Sequence, residues 1–598
     1  MMEIFNKLSA LLSPHELRLA KLVFLLMLGM AFLEMAGVAS IMPFVSLLAK
    51  PEIIEHNRYL ATVYAWTGFT SPDHFLLFLG IVLLVLFISS LSFQALTSYA
   101  IQRFSNMRLH TIACRLLGAY LRQPYVFFLN RNTADLSKSI LAEVGEVAQH
   151  VLIPAMKVVS GTVVATAILG LLLFVDPLLS LTVFTVLGGA YSVIYIFTRR
   201  LLRRIGEERL RANKQRFILA TEALSGIKEL RLMGREQAYI DRFHGPSKRF
   251  ARHQATSKVL VELPSLAIQA VVFGGILVVI LFLMGQYRGI DEFLPLIVLY
   301  SFAGSRLLPA FRDIFKNLTQ LRFSLPALDT LYGELMLMEK QAVIKKTSQT
   351  LHLRESIKLE EVTYRYPGAE SIALSGINLT IPAGKSVGFV GSTGAGKSTI
   401  VDIILGLLEP TNGRVLVDGQ PLEAHSISAW QRTLGYVPQV IYLTDDTVAA
   451  NIAFGIPEEQ IDQQAVERAA RAAHIHEFIT QELPHGYASV VGERGIRLSG
   501  GERQRLAIAR ALYHDPDVVV FDEATSALDN VTEKIVMEAI KELHGRKTII
   551  LIAHRFTTVR ECDRIFLLEH GRLSGEGAFD ELSGNNPGFQ KLAHASGV

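Results

Sequence analysis

The sequence predicts two structural units: a membrane α-helical bundle of six transmembrane helices with long extensions, followed by a soluble α/β domain with a helical subdomain. Hydrophobic residues make up 50% of the 598 residues and charged residues only 19%, and the mean hydropathy is +0.33. This is too apolar for an ordinary soluble chain, and the excess lies before about residue 320. We expect a membrane unit over 1–330, a linker over 331–354 and the soluble domain over 355–598.

Six stretches are long and apolar enough to cross a bilayer, which requires about 20 residues. They lie at roughly 22–48, 75–99, 151–175, 178–198, 260–285 and 293–313. The connections after the second and fourth stretches are rich in arginine, whereas the connection after the fifth holds only Arg288. By the positive-inside rule, both termini and the soluble domain are expected in the cytoplasm. The first stretch could be a cleaved signal peptide, but its length and the spans that follow favour a retained anchor.

The connections between the spans predict further helices. The two cytoplasmic connections, at about 100–150 and 199–258, are rich in charge and helix formers, so we expect the spans to continue as helices below the membrane. Between the first two spans, apolar and aromatic residues recur at roughly helical spacing. A short helix in the outer membrane interface and a plain loop are both compatible with this pattern. The residues are Tyr59, Leu60, Val63, Tyr64 and Trp66.

The charge and the cysteines limit the possible partners. The formal net charge of +4 is small for this length and no basic tail is present, which argues against nucleic acid as a partner. The two cysteines, Cys114 and Cys562, lie in different units, so neither a disulfide framework nor a cysteine-rich metal site is expected. A reducing compartment suits the soluble domain.

The soluble domain contains the phosphate-binding pattern G-x-x-x-x-G-K-[ST] at residues 391–398. Apolar residues before it predict a strand, and the residues after it predict a helix, as this pattern requires. Its glycines let backbone N–H groups converge on anionic oxygens, Lys397 is expected to reach the β/γ-phosphates, and the Ser398 hydroxyl is expected to bind Mg²⁺. The expected nucleotide-binding residues here are Gly391, Ser392, Thr393, Gly394, Ala395, Gly396, Lys397, Ser398 and Thr399.

Two carboxylates end a second apolar strand pattern at residues 518–521. A buried strand of this kind would deliver Asp522 to Mg²⁺ and Glu523 to the water that attacks the γ-phosphate. The alternative is a strand that ends in acidic residues by coincidence. The phosphate-binding pattern upstream favours the functional interpretation.

Three further side chains are candidates for the nucleotide site. His554 follows another apolar strand, and its position after the acidic pair favours a γ-phosphate contact over a structural role. Gln439 is expected to contact Mg²⁺ and the attacking water. Tyr366 is expected to stack on a nucleotide base, with a surface turn as the alternative.

A second anion site is predicted at Ser499, Gly500 and Gly501, which precede a predicted helix from Glu502 to Leu512. A helix N-terminus with glycines binds anions, so the chain has a second phosphate-binding surface for its single phosphate loop. Two such surfaces facing two loops imply two copies of the domain. We therefore expect a dimer with two shared nucleotide sites.

The order of these motifs resembles that of the ABC transporters, and six spans followed by one ATP-binding cassette resemble a half-size ABC exporter over essentially the whole chain. The resemblance implies ATP and Mg²⁺ as cofactors and Asp529 as a link between the sites. It further implies that the loop of Ser499, Gly500, Gly501 and Glu502 contacts ATP held by the other subunit. It also implies that Gly492–Gly495 touches the membrane unit and that short helices in the cytoplasmic connections transmit motion. Glu502 departs from the family, which more often has glutamine there. Intact motifs fit a homodimer, although a heterodimer remains open.

Glu34 and Arg306 are the charged residues well inside the predicted spans. Such charges cost about 2.5–3.5 kcal/mol on insertion scales and are therefore candidates for function. Either residue could instead form a buried ion pair or a polar contact between helices. In the functional interpretation, Arg306 attracts an anionic head group while apolar walls tolerate lipid tails.

Two stretches, 32–48 and 123–144, resemble the branch of ABC exporters that contains lipid-linked oligosaccharide flippases. This resemblance implies a substrate with a polyprenyl diphosphate anchor and a glycan, moved to the outer leaflet, and we expect the bacterial inner membrane as its location. Alternatives are a multidrug or lipid exporter, a peptide exporter, and a regulator or channel that uses ATP as a switch. Intact Glu523 and His554 argue against the switch, and the spans exclude a soluble cassette ATPase of chromosome maintenance.

Overall fold

The computed structural model describes residues 2–50, 52, 58–69, 71–286, 290–341, 350–492, 495–523, 530–553 and 555–595. Within 179–199 and 261–296 it describes the helical backbone but only some of the side chains. The chain divides into two compact units. The first contains Met1–Gln123 and Asn130–Ala342, and the second contains Pro124–Leu129 and Val343–Val598.

Up to residue 341 the described residues form helices. In chain order these are α1 Met2–Leu11, α2 Pro14–Ala49, α3 Arg58–Thr67, α4 Pro72–Leu121, α5 Tyr125–Leu129, α6 Thr133–Val175, α7 Pro177–Ser225, α8 Ile227–Met233, α9 Glu236–Gln286 and α10 Ile290–Gln341. The residues with helical spacing between the first two spans form α3, so this connection is not a plain loop. The short α5 belongs to the second unit, where Val126 packs against an apolar cluster.

Six of these helices contain the six predicted spans. Among the residues searched, α2, α4 and α6 are long and apolar enough to cross a membrane. The other three predicted spans lie within α7, α9 and α10, which have 49, 51 and 52 residues. A helix of that length extends on the order of 75 Å, whereas the hydrocarbon core of a bilayer is about 30 Å thick. The helices therefore continue well beyond the bilayer, as expected, and α10 also includes residues 331–341, which were expected to form a linker.

An ion pair and a hydrogen bond of Glu146 join the extensions of α6, α7 and α10. Glu146 of α6 forms an ion pair with Arg209 of α7, with nitrogen and oxygen 2.9 Å apart, and accepts a hydrogen bond from the hydroxyl of Ser324 of α10 at 2.9 Å. The nearby Lys138 and Glu143, both buried, lie 3.2 Å apart. Removing one member of such a pair is strongly destabilising, because the charge that remains is buried without compensation.

The same region contains a close approach of α7 to α10 at Gly206. A Cβ atom at Gly206 would lie 2.1 Å from the backbone oxygen of Phe323, so only glycine fits at this position. Leu202, Ile205 and Phe323 form a buried cluster around this contact. The Arg209 guanidinium lies 4.8 Å from the centre of the Phe323 ring. Glycine therefore sets the spacing of two helices whose ion pairs depend on close approach.

The second unit contains two sheets. The strands are β1 Ser356–Tyr364, β2 Leu374–Pro382, β3 Ser386–Val390, β4 Asn412–Val417, β5 Gln420–Pro421, β6 Leu434–Val437, β7 Val518–Asp522, β8 Thr548–Ile552, β9 Arg564–Glu569 and β10 Arg572–Gly577. An antiparallel sheet has the order β2-β1-β4-β5, and a six-stranded sheet has the order β10-β9-β3-β8-β7-β6. In the larger sheet β9, β3, β8, β7 and β6 run parallel, and only β10 is antiparallel.

Helices cover the larger sheet and form the helical subdomain. They are α11 Lys397–Ile404, α12 Ile427–Gln431, α13 Val448–Ile452, α14 Gln463–Ala472, α15 His476–Gln481, α16 Gly500–Leu512, α17 Asn530–Leu543, α18 Phe556–Val559, α19 Phe579–Asn585 and α20 Pro587–Ala595. The strands β3, β7 and β8 are buried almost throughout, as expected of parallel strands covered on both faces. Their carboxyl ends lie at one edge of the sheet, where α/β proteins bind ligands.

Asp563 fixes the start of β3 beside the start of β9. Its carboxylate accepts hydrogen bonds from the Ser386 backbone N–H at 2.8 Å, the Ser386 hydroxyl at 2.9 Å and the Lys385 ammonium at 3.0 Å. Partial burial opposes the charge, but these donors hold the pKa of Asp563 well below its usual range. The Asp563 carboxylate therefore fixes the register of β3 and the position of the loop that follows it.

The contact at Gly206 gives a testable prediction. Replacing Gly206 by alanine should destabilise the membrane unit by about 1–3 kcal/mol, because the added methyl group must displace backbone rather than a flexible side chain. Gly333→Ala is the matched control, since a Cβ atom at Gly333 in α10 meets no atom within 4 Å. Thermal unfolding of the two detergent-solubilised variants measures the difference. Equal midpoints for Gly206→Ala and the wild type would contradict the close approach.

Candidate functional site

The predicted phosphate loop lies between a buried strand and a helix. It follows β3 and ends at the start of α11. Gly391 and Gly396 have positive φ angles of 151° and 103°. A Cβ atom at Gly391 would lie 2.2 Å from the backbone oxygen of Leu568, and one at Gly396 would lie 2.6 Å from a methyl group of Leu374. The loop therefore requires glycine at both positions, because neither its backbone angles nor its surroundings admit a side chain.

Lys397 lies inside this loop. Its ammonium donates hydrogen bonds to the backbone oxygens of Gly391 at 2.8 Å and Ser392 at 3.0 Å. Burial lowers the pKa of Lys397, while the charges of Glu523 and Asp522 act in the opposite direction. The loop, Tyr366 and Glu523 line one cavity of about 530 Å³. This volume falls in the usual range for small-molecule sites, about 300–1,000 Å³.

The acidic pair and Gln439 lie together at the carboxyl edge of the sheet. Asp522 ends β7, and Glu523 has a positive φ of 47°, a strained conformation for a residue with a side chain. The Gln439 amide donates to the Glu523 carboxylate at 2.6 Å. The Tyr436 hydroxyl donates to Asp522 at 3.2 Å, and burial together with the Asp522 charge raises the pKa of Tyr436. Residues far apart in sequence thus form one polar cluster.

Tyr366 lies at the same cavity. Its hydroxyl and that of Thr399 are hydrogen bonded at 3.1 Å, and its ring meets that of Tyr364 edge-on with centres 5.0 Å apart. These contacts hold the ring in place beside the phosphate loop. Tyr366 is half-buried and lines the cavity, so part of its ring can stack on a planar ligand.

Ser499 caps helix α16 in a way that accounts for the unusual Glu502. The Ser499 hydroxyl accepts from the Glu502 backbone N–H at 3.3 Å, and the Glu502 carboxylate accepts from the Ser499 backbone N–H at 2.8 Å. This reciprocal pair is a capping box, in which glutamate and glutamine serve equally well as acceptors. Glutamate is therefore structurally compatible with this position, and its negative charge is favourable at a helix N-terminus.

Several expected residues lie outside the described part of the chain, and several lining residues were missed. His554 and Asp529 lie outside the described residues, as do Glu493 and Arg494 between Gly492 and Gly495. The missed residues line the cavity from the segment before β2 and from the turn between β9 and β10. They are Ser371, Ile372, Ala373, His570 and Gly571. The only signal in the sequence was a His-Gly turn after an apolar strand, which alone indicates no ligand.

A second cavity lies in the membrane unit and contains both predicted substrate residues. It has a volume of about 240 Å³ and is formed by α2, α4, α6 and α10. Glu34 is 6% exposed. The Arg306 guanidinium lies 5.0 Å from the centre of the Phe87 ring. Among the described residues no ion pair includes either charge, although Arg306 lies close enough to act electrostatically on Glu34.

Asp402, on α11 behind the phosphate loop, gives a pH-dependent prediction. Burial, and then the nearby Asp522 charge, raises its pKa to about 6. In the unfolded chain its pKa is about 3.9, so the folded protein binds more protons between these values and loses stability as pH rises through this window. Asp402→Asn should therefore raise the unfolding temperature at pH 7.5, and this gain should vanish near pH 4.

Nucleotide-free thermal unfolding across this pH range is the measurement. Asp445→Asn, at an exposed position of the same domain, is the control and should have no pH-dependent effect of this kind. A gain for Asp402→Asn that is the same at every pH would show that Asp402 is not an ionised, buried carboxylate above pH 6.

Comparisons with known proteins find matches for both units of the chain. Residues 25–303 match the family model for the ABC transporter transmembrane region, and residues 374–526 match that for the ABC transporter. An ATP-dependent lipid A-core flippase of Cupriavidus metallidurans is 30% identical over 84% of this chain and 85% of its own. Flippases of the same name from Chromohalobacter salexigens and Bordetella avium are each 29% identical, over 88% and 92% of this chain and 90% and 91% of their own.

The fold also matches a solved structure. A structure described as a bacterial Atm1-family ABC exporter with ATP bound has a TM-score of 0.79 at 24% identity, covering 95% of this chain and 98% of that chain. Six long membrane helices followed by an ATP-binding α/β domain define a half-size exporter, a multi-pass membrane protein that couples ATP hydrolysis to transport. The chain belongs to the ABC transporter family.

Proposed function

We propose that this exporter is a flippase for an amphipathic lipid with a phosphate-bearing head, either a lipid-linked oligosaccharide or a related lipid. The lipid would move from the cytoplasmic to the outer side by alternating access. The observation that carries the proposal is the polar, charged cavity of the membrane unit, which lies between otherwise apolar helices. A head group needs such polar contacts, whereas its acyl or prenyl chains need apolar walls. The names of the flippase relatives support the same class of substrate.

In the nucleotide site, each described side chain has the chemistry that its proposed role needs. Lys397 would hold the β/γ-phosphates, and Tyr366 would stack on adenine. The Ser398 hydroxyl, the Asp522 carboxylate and the Gln439 amide supply oxygen atoms, which are the ligands that Mg²⁺ prefers. When bound, Mg²⁺ would neutralise phosphate charge. Glu523 would orient and deprotonate the attacking water, as its hydrogen bond with Gln439 already fixes the carboxylate beside the loop.

His554 and Asp529 complete the proposed site through the family pattern alone, the first at the γ-phosphate and the second as a link between sites. The capped start of α16 supports the proposed role of Ser499, Gly500 and Gly501, because its N-terminal N–H groups would bind the γ-phosphate held by a second copy. A homodimer with two shared ATP sites follows. ATP would drive transport by binding the closed dimer more tightly than the open one. We place the protein in the bacterial inner membrane with both termini and the cassette in the cytoplasm.

The variant Glu523→Gln tests the proposed role of Glu523 as the general base of ATP hydrolysis. The variant should still bind ATP, since glutamine can accept the Gln439 hydrogen bond, but it should hydrolyse ATP roughly 10²–10⁴ times more slowly because the general base is lost. Glu459→Gln, at an exposed glutamate of the same domain, should match the wild type. ATPase assays and flipping of a fluorescent polyprenyl diphosphate-linked sugar in vesicles give both readouts. Lipid movement that continues without hydrolysis would favour an ATP-gated regulator or channel over a pump.

Arg306→Ala tests the substrate site. It should raise the concentration of lipid diphosphate needed to stimulate ATPase by about tenfold or more, because a charged hydrogen bond contributes about 1.5–3 kcal/mol. Basal ATPase should not change, and Arg306→Lys should recover part of the stimulation. Arg211→Ala, at an exposed arginine of α7, is the control. Unchanged stimulation in Arg306→Ala would remove Arg306 from the substrate site. Stimulation by simple amphiphiles that lack phosphate would instead indicate a multidrug exporter.

A further inference from the structure

The cavity of the membrane unit holds charges of both signs. Four charged side chains line it: Glu34 from α2, Lys157 from α6, and Arg306 and Asp313 from α10. Neutral polar side chains of α4, including Gln94 and Thr97, complete the lining. A site built for an anion alone needs the two cations but gains nothing from the two carboxylates, which would repel the ligand. The acidic residues therefore need a separate explanation.

Mutual neutralisation supplies only part of that explanation, because Arg306 acts on Glu34 electrostatically without a direct ion pair. Charges inside a membrane protein normally pair with one another, yet among the described residues none of these four takes part in an ion pair. Arg306 is instead packed on aromatic rings, with its guanidinium carbon 5.0 Å from the centre of Phe87 and 5.8 Å from that of Phe302. Stacking occupies the face of the guanidinium and leaves its N–H groups at the edge available. Arg306 is thus held in place with its donors free for a ligand.

Glu34 is the most deeply buried of the four charged residues that line the cavity. It is 6% exposed, whereas Asp313 is exposed and Lys157 and Arg306 are intermediate. A carboxylate buried to this extent is costly unless a positive partner or hydrogen-bond donors are supplied. Its neighbours of opposite sign on the cavity wall are Lys157 and Arg306. Arg306 lies close enough to act electrostatically on Glu34, but among the described residues neither cation forms a direct ion pair with it. A cationic group on the ligand would supply the missing partner.

We propose that the cavity selects an amphiphile whose head is zwitterionic, with a phosphate bound by Arg306 and Lys157 and a primary ammonium bound by Glu34. This inference rests on the proposed function, because it concerns the same cavity, and it narrows the substrate class from phosphate-bearing lipids to those that also carry an amine. Glu34 is then a specificity-determining residue. It favours heads that carry both charges over heads that carry phosphate alone.

Binding of matched probes to the full-length protein in uncharged detergent micelles tests this. The probes are dihexanoyl phosphatidylethanolamine and its N-acetylated form, which keeps the phosphate but loses the ammonium. By isothermal titration, the wild type should bind the amine form at least about tenfold more tightly, as expected for one charge-assisted hydrogen bond. Glu34→Gln should remove this preference, Glu34→Asp should retain part of it, and Arg306→Ala should weaken both probes alike. Glu222→Gln, at an exposed position of α7, is the control.

The outcomes separate this inference from the proposed function. A wild type that binds both probes equally, or a Glu34→Gln variant that keeps the preference, would overturn the zwitterion inference while leaving lipid transport intact. A wild type that binds neither probe and moves no lipid would overturn both. Glycerophosphoethanolamine, the head without acyl chains, should bind far more weakly than the lipid. Equal binding would show that the cavity takes a soluble zwitterion rather than an amphiphile.

Discussion

The parallel alignment of β3, β7 and β8 is the constraint on which the chemistry of this protein depends. These strands are buried and paired in register, so their carboxyl ends bring the phosphate loop and the acidic pair to one edge. The 2.6 Å hydrogen bond between Gln439 and Glu523 joins β6 to β7 at that edge. Asp563 fixes the start of β3, so a shift in the register of β3 would displace the phosphate loop that follows it. Catalysis by positioning requires this kind of rigidity.

The sequence was sufficient where local pattern determines structure. The strand, glycine loop and helix around Lys397, the strand that ends at Asp522, and the long helices were all predictable from hydrophobic period and from residues that only one backbone conformation accepts. The sequence could not predict that Glu34 and Arg306 would lie in one cavity. Their helices, α2 and α10, are separated by more than two hundred residues in the chain, and periodicity on each helix says nothing about which helix it will face.

The same limit explains the other residues that the pattern did not indicate. His570 and Gly571 line the nucleotide cavity because β9 and β3 are neighbours in the sheet, a consequence of strand order rather than of local sequence. Gly206 carries no signal in a helical stretch rich in arginine, yet it sets the approach of α7 to α10. Glu502 departs from the more common glutamine, and its reciprocal bonds with Ser499 became evident only once the helix start was located. In each case the role of the residue depends on a contact with a residue distant in the chain or on the local backbone conformation.

Both cavities follow one rule, that a charge removed from water must be matched by another charge or by donors. In the nucleotide site the chain supplies much of that match, since Lys397 bonds to backbone oxygens and Glu523 to Gln439. In the membrane cavity the chain supplies an aromatic support for Arg306 but no described ion pair for Glu34. Unmatched charges raise the energy of the free state, and a ligand that matches them gains affinity from their relief. The charge pattern of the cavity wall is therefore complementary to the charges of the head group that we propose as its ligand.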